Sequence, residues 1–172
     1  YNALSSVMDL KMTEGNKDKM AGRFTLGASD IGLSLNGPAG KKSSYVVSAR
    51  RSYLQFLFKL IKLPFLPTYN DFQFKVKHQL STNSEISLIG LGAIDKFKLN
   101  ESVNDNITDE ETLKRNRYAL SNIPIQEQWN YTVGAVYKHF GKNTMQQLVL
   151  SRNVWSNIAK KYFNNTDNPS DL

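Results

Sequence analysis

One feature limits this chain more than any other: apolar and polar residues alternate over stretches too long for an ordinary soluble strand. In "IQEQWNYTVGAVYKHF", Ile125, Trp129, Tyr131, Val133, Ala135 and Tyr137 alternate with Gln126, Gln128, Asn130, Thr132, Gly134 and Lys138. In "YNDFQFKVKHQL", Phe72, Phe74, Val76 and Leu80 share a phase with Asn70 and His78, against Asp71, Gln73, Lys75, Lys77 and Gln79. In "SYVVSARRSYL", Tyr45, Val47, Ala49, Arg51 and Tyr53 oppose Ser44, Val46, Ser48, Arg50 and Ser52. A period of two marks a strand with two unlike faces. Soluble strands centre on ~5–6 residues. A length near ten with aromatics toward the ends is what a tilted membrane-spanning strand needs. "EISLIGLGAIDKFKL" is a less regular strand with glycines at 90 and 92, and "TMQQLVLSRNVW" is another of ambiguous phase.

The connections sort by length. "GPAGKK" (37–42), "STNS" (81–84) and "GKN" (141–143) are tight turns of turn-forming residues. Between them lie long connections at about 54–68 and 100–124. Short turns at one end and long loops at the other are how outer-membrane barrels are built. The second long connection holds "ITDEETLKRNRYAL", where Thr108 and Glu111 have capping-box spacing and predict a short helix. In "GRFTLGASDIGLSLNGP" the apolar residues fall on Phe24, Leu26 and Ala28, then on Ile31, Leu33 and Leu35. One straight strand cannot change phase this way. A tight turn near Ser29–Asp30 and two short strands explain it, and all three short turns then fall at one end.

Composition narrows the partners. The formal charge is +7, but the 22 basic residues are scattered and mixed with 15 acidic ones. That pattern favours a solvated surface over a nucleic-acid patch. There is no cysteine, so neither disulfides nor thiolate metal sites arise. The longest greasy run, "LQFLFKLIKLPFL", is interrupted by Lys59, Lys62 and Pro64 and is too short for a transmembrane helix. The opening residues lack the basic, then apolar, pattern of a signal peptide. The chain reads as a piece of a larger protein.

The residues from Leu4 to Leu54 resemble the plug-to-barrel junction of TonB-dependent outer-membrane receptors of the Bacteroidetes type. In that family a plug segment of the form "LSSVxDxxxxxGN" leads into "GxxxxGxxxxxLxxxGP", a Lys-bearing turn and "SxxxSxRRxYL". Here these are Leu4, Ser5, Ser6, Val7, Asp9, Gly15 and Asn16; then Gly22, Gly27, Leu33, Gly37 and Pro38; then Ser44, Ser48, Arg50, Arg51, Tyr53 and Leu54. "LPTYNDFQFKV" and "DKFKL" are similar to the strands that follow. The resemblance implies an all-β protein: an antiparallel transmembrane β-barrel of about twenty-two strands with a plugged lumen. About seven of those strands lie here, with one plug strand. Residues 1–20 would be the end of the plug and a linker, and 21–172 the first part of the barrel. The implied function is energy-coupled uptake of a scarce nutrient across the bacterial outer membrane. Its partners would be TonB, acting through other parts of the parent chain, an extracellular ligand and outer-membrane lipid. No enzyme activity and no cofactor are implied. The chain lacks the "TTKKG"-like plug ending of the glycan-uptake branch, so a paired surface lipoprotein is not implied.

Individual residues follow from phase. Arg50 shares the polar phase, and it is either a solvated lumen arginine or the partner of a plug carboxylate or carbonyl, with Asp9 and Glu14 the acids of that segment. Arg51 lies on the apolar phase, where a mid-bilayer charge costs ~2–4 kcal/mol. It is therefore expected with Tyr53 at the membrane rim, within reach of outer-leaflet phosphates. Trp129, Tyr131 and Tyr137 read as lipid-face aromatics. His78 and His139 lack a second ligand at useful spacing, and Asp105, Asp109, Glu110 and Glu111 lack calcium-loop spacing. No nucleophile elbow, P-loop or catalytic carboxylate pair occurs. Two other readings stay open. One is a small complete outer-membrane barrel that binds lipid or acts as a membrane enzyme; the other is a basic soluble β protein that binds nucleic acid.

Overall fold

The computed structural model describes residues 11–165. Seven strands run β1 (Ala21–Leu26), β2 (Asp30–Pro38), β3 (Ser43–Ser52), β4 (Phe65–Ser81), β5 (Ser84–Leu99), β6 (Ile125–Phe140) and β7 (Met145–Lys160). They form one antiparallel sheet in sequence order, each strand bonded to the next, and it does not close on itself. The fold is all-β and antiparallel. A meander needs only hairpins, and the composition supplies them: Gly40 takes φ 89° in the β2–β3 turn, where a side chain would be strained. Gly27 N–H donates to Asp30 O at 2.8 Å, closing the first turn where the apolar phase changes. The turns after β2, β4 and β6 lie at one end of the sheet, and the remaining connections lie at the other.

The long connections are more ordered than the sequence suggests. Residues 54–68 are not one loop: α1 (Leu54–Leu60) follows β3 directly, and β4 already begins at Phe65. The second connection holds a 3₁₀ turn at Glu101–Asn104 and α2 (Glu110–Asn122). The helix is there, but its cap is Asp109, whose carboxylate accepts from Thr112 N–H at 2.8 Å, not Thr108. This bond holds the Asp109 carboxyl below its ordinary range. Asn100 joins the two connections: it is buried, and its amide donates to Leu63 O at 2.7 Å. Phe58 of α1 meets Phe65 edge to face, and Phe65 stacks on Phe97, with centroids 5.4 and 4.9 Å apart.

The register fixes two faces, because directly paired residues project to the same side. One face is apolar: the row Leu33–Ala49–Phe72–Gly92–Tyr131–Val154 is typical. Tyr45, Val47, Ala49, Trp129, Tyr131, Val133 and Ala135 all lie on it, as their phase predicts. The other face is polar, as in Ser34–Ser48–Gln73–Leu91–Thr132–Asn153. Among the described residues Val103 is the one buried hydrophobic side chain, and it belongs to a connection. Among the described residues no second layer covers the apolar face, so Phe24 (66%) and Leu150 (75%) stand open. Two arginines also lie on this face: Arg51, paired with Ile31 and Asn70, and Arg152, paired with Val133. No described helix is long and apolar enough to cross a membrane, which says nothing of crossing by strands.

Candidate functional site

The polar face carries the chain that precedes the sheet. Residues 11–20 contain no strand or helix, and the expected plug strand at residues 1–10 lies outside the described residues, as does Asp9. From β4, two residues apart on the polar side, Lys75 and Lys77 reach this segment. Lys75 Nζ donates to Met12 O at 3.3 Å and meets Glu14 Oε1 at 2.5 Å. Lys77 Nζ lies 3.5 Å from Glu14 Oε2 and 2.9 Å from Glu85 Oε2 on β5. Next to this contact the backbone comes close: a Cβ at Gly15 would sit 2.5–2.8 Å from the O, N and C atoms of Tyr45. Only glycine fits there. Asn16 then turns the chain toward β1, its Oδ1 accepting from Asp18 N–H at 2.9 Å and Lys19 N–H at 3.3 Å. Desolvation tends to raise the Glu14 carboxyl. The bond to Lys75 and the charges of Lys75 and Lys77 outweigh it and hold the group below its ordinary 4.5.

A second polar group lies nearer the long-connection end. Arg50 is on the polar face, but its partner is Asp71, its register neighbour on β4, with Nε 2.9 Å from Oδ2. Glu14 is taken by the lysines, so the expected Arg50–Glu14 pair is not made. The Arg50 guanidinium also lies 5.5 Å from the Tyr69 ring centroid, and Tyr69 O–H donates to Asp30 Oδ2 at 3.1 Å. These groups, with Asp95 and Asn130, line a concave region of about 740 Å³. Two kinds of chemistry are available on one face: lysines holding a carboxylate on a separate segment, and a shallow acidic basin around one arginine.

The remaining expectations fall as follows. Arg51 lies on the apolar face between Ile31 and Asn70, and it makes no ion pair among the described residues. Tyr53 is the residue before α1, and its hydroxyl donates to Gly27 O, tying the helix to the β1–β2 turn. His78 and His139 each bond a serine, Ser43 at 2.7 Å and Ser84 at 2.8 Å, at the short-turn end of the apolar face. No group of three metal-binding side chains occurs among the described residues. Lys75, Lys77 and Asp71 were legible in sequence as polar-phase residues, but their partners depend on strand register, which no local signal carries. No family model, curated protein or solved structure matches this chain.

Proposed function

We propose that this sheet is the first part of a plugged outer-membrane barrel of the TonB-dependent receptor type, a transporter that takes up a scarce nutrient. The observation that carries the reading is the pairing of opposites across one layer. A separate N-terminal segment is docked by Glu14, Lys75 and Lys77 on the polar face, while the other face is a broad uncovered apolar surface. A lumen with a plug and a wall against lipid require that arrangement. A soluble sheet would have to cover its apolar face. The two open edges would pair with further strands of the parent barrel, since unpaired backbone groups are not tolerated in lipid.

The dimensions agree with this placement. From Arg51 to Ser43 the strand runs about 27 Å at ~3.4 Å per residue. Tilted by ~40°, as barrel strands are, it spans about 21 Å of depth, close to the ~25 Å apolar band of such barrels. Arg51 on β3 shares a row with Ser156 on β7, and Arg152 lies further toward the short turn. At that angle and ~4.8 Å between strands, a plane through the sheet shifts by about one residue with each strand. A tilt whose shift runs toward the short turns would bring both arginines to one depth at the outer rim, near Trp129 and Tyr131, whose rings stack at 6.1 Å.

The function is tested genetically. A strain lacking this protein and a strain lacking TonB are expected to share a growth defect on the same limiting nutrient, and the double mutant should be no worse. A defect that adds to loss of TonB would contradict energy-coupled uptake.

A further inference from the structure

We infer that the apolar face holds a specific site for one acylated, phosphate-bearing lipid, with Arg51 as its head-group ligand. This rests on the membrane placement proposed above. Ala49 is small where its row neighbours Leu33 and Phe72 are large, so the face has a groove there of about 450 Å³. Phe24, Ile31 and Leu33 form one wall; Phe72 and Ile94 form the other. Arg51 stands at the groove's long-connection end, beside Asn70, whose amide leans to Ile94 O at 3.4 Å. The guanidinium is exposed and, among the described residues, unpaired, although its neighbour Arg50 has both a carboxylate and an aromatic ring. A permanent cation with a fixed fork of donors, at the end of an open apolar trough, complements a phosphate carried on an acyl chain. A free phosphate would leave the trough empty, and an uncharged lipid would leave Arg51 without a partner.

The test uses the intact parent protein purified in detergent. A monophosphorylated lipid A, its dephosphorylated counterpart and inorganic phosphate are offered separately, with bound lipid counted by native mass spectrometry. The phosphorylated lipid is expected to bind about tenfold better than the dephosphorylated one, the worth of one charge-assisted contact. Arg51→Gln should remove that preference and Arg51→Lys retain most of it. Ala49→Phe, which fills the trough while remaining on an outward face, should weaken both lipids alike. Equal binding of the two lipids by the unaltered protein overturns the site, as does displacement by millimolar inorganic phosphate. Failure of the underlying membrane reading shows differently, as a protein recovered in buffer without detergent.

Discussion

At Glu14 two effects of opposite sign meet: partial burial disfavours the carboxylate, and two lysines favour it. The lysines win, so the folded pKa lies below 4.5. A depressed acid contributes its stability above the unfolded value and loses it as pH falls through the folded one. The Glu14 side chain is 53% exposed, so the contribution is small, at most about 1 kcal/mol. Hydrogen exchange of amides 11–16, corrected for intrinsic rate, should therefore speed up as pH falls below 4.5 in the unaltered protein. In Glu14→Gln it should be faster above that window, insensitive to pH within it, and matched by the unaltered protein once Glu14 is protonated. Identical profiles for the two proteins would show that the lysines do not hold the segment. The sequence distinguished Arg50 from Arg51, because period two alone sends adjacent residues to opposite faces. It could not pair Arg50 with Asp71, since that contact exists only once β3 and β4 adopt one register.

Elements were legible where pattern is long and obscure where it is short. β6 was readable along its length because the alternation persists over sixteen positions despite Glu127 on the apolar phase and Val136 and Phe140 on the polar one. β4 was cut short at its start: Pro67 has no amide to donate and argues against a strand, yet it pairs with Phe97. α1 spans only seven residues, too few for a helical period to show beside Pro64. In the sequence Gly90 and Gly92 show only as irregularities in the β5 pattern. The structure adds a packing role: a Cβ at either would collide with the ring of its cross-strand partner, Phe74 or Phe72. Glycine gives each phenyl ring room to lie over the neighbouring backbone. Gly92→Val should accordingly cost about 1–3 kcal/mol by overpacking. The denaturant midpoint in micelles should fall, and adding Phe72→Ala should recover part of the loss. An unchanged midpoint in the single variant would refute the packing role.

For the whole molecule, the phase argument and the register agree that one sheet has an apolar and a polar side. The count of strands, the first hairpin and the sorting of turns were all legible, because turn residues and parity are local. The docking of residues 11–16 was not, because it joins Glu14 to lysines some sixty positions away. The central claim is that the apolar side meets lipid and the polar side an aqueous lumen. The chain has no cysteine, so a single nitroxide label can be placed at each position from 131 to 138 on β6. The measurement is the accessibility of each label to oxygen, which concentrates in lipid, against a water-soluble nickel complex, with the intact protein in bilayers. Tyr131, Val133, Ala135 and Tyr137 should favour oxygen, and Thr132, Gly134, Val136 and Lys138 the nickel complex, with a period of two. Uniform access to the nickel complex, or the same period in the reverse phase, would contradict the account.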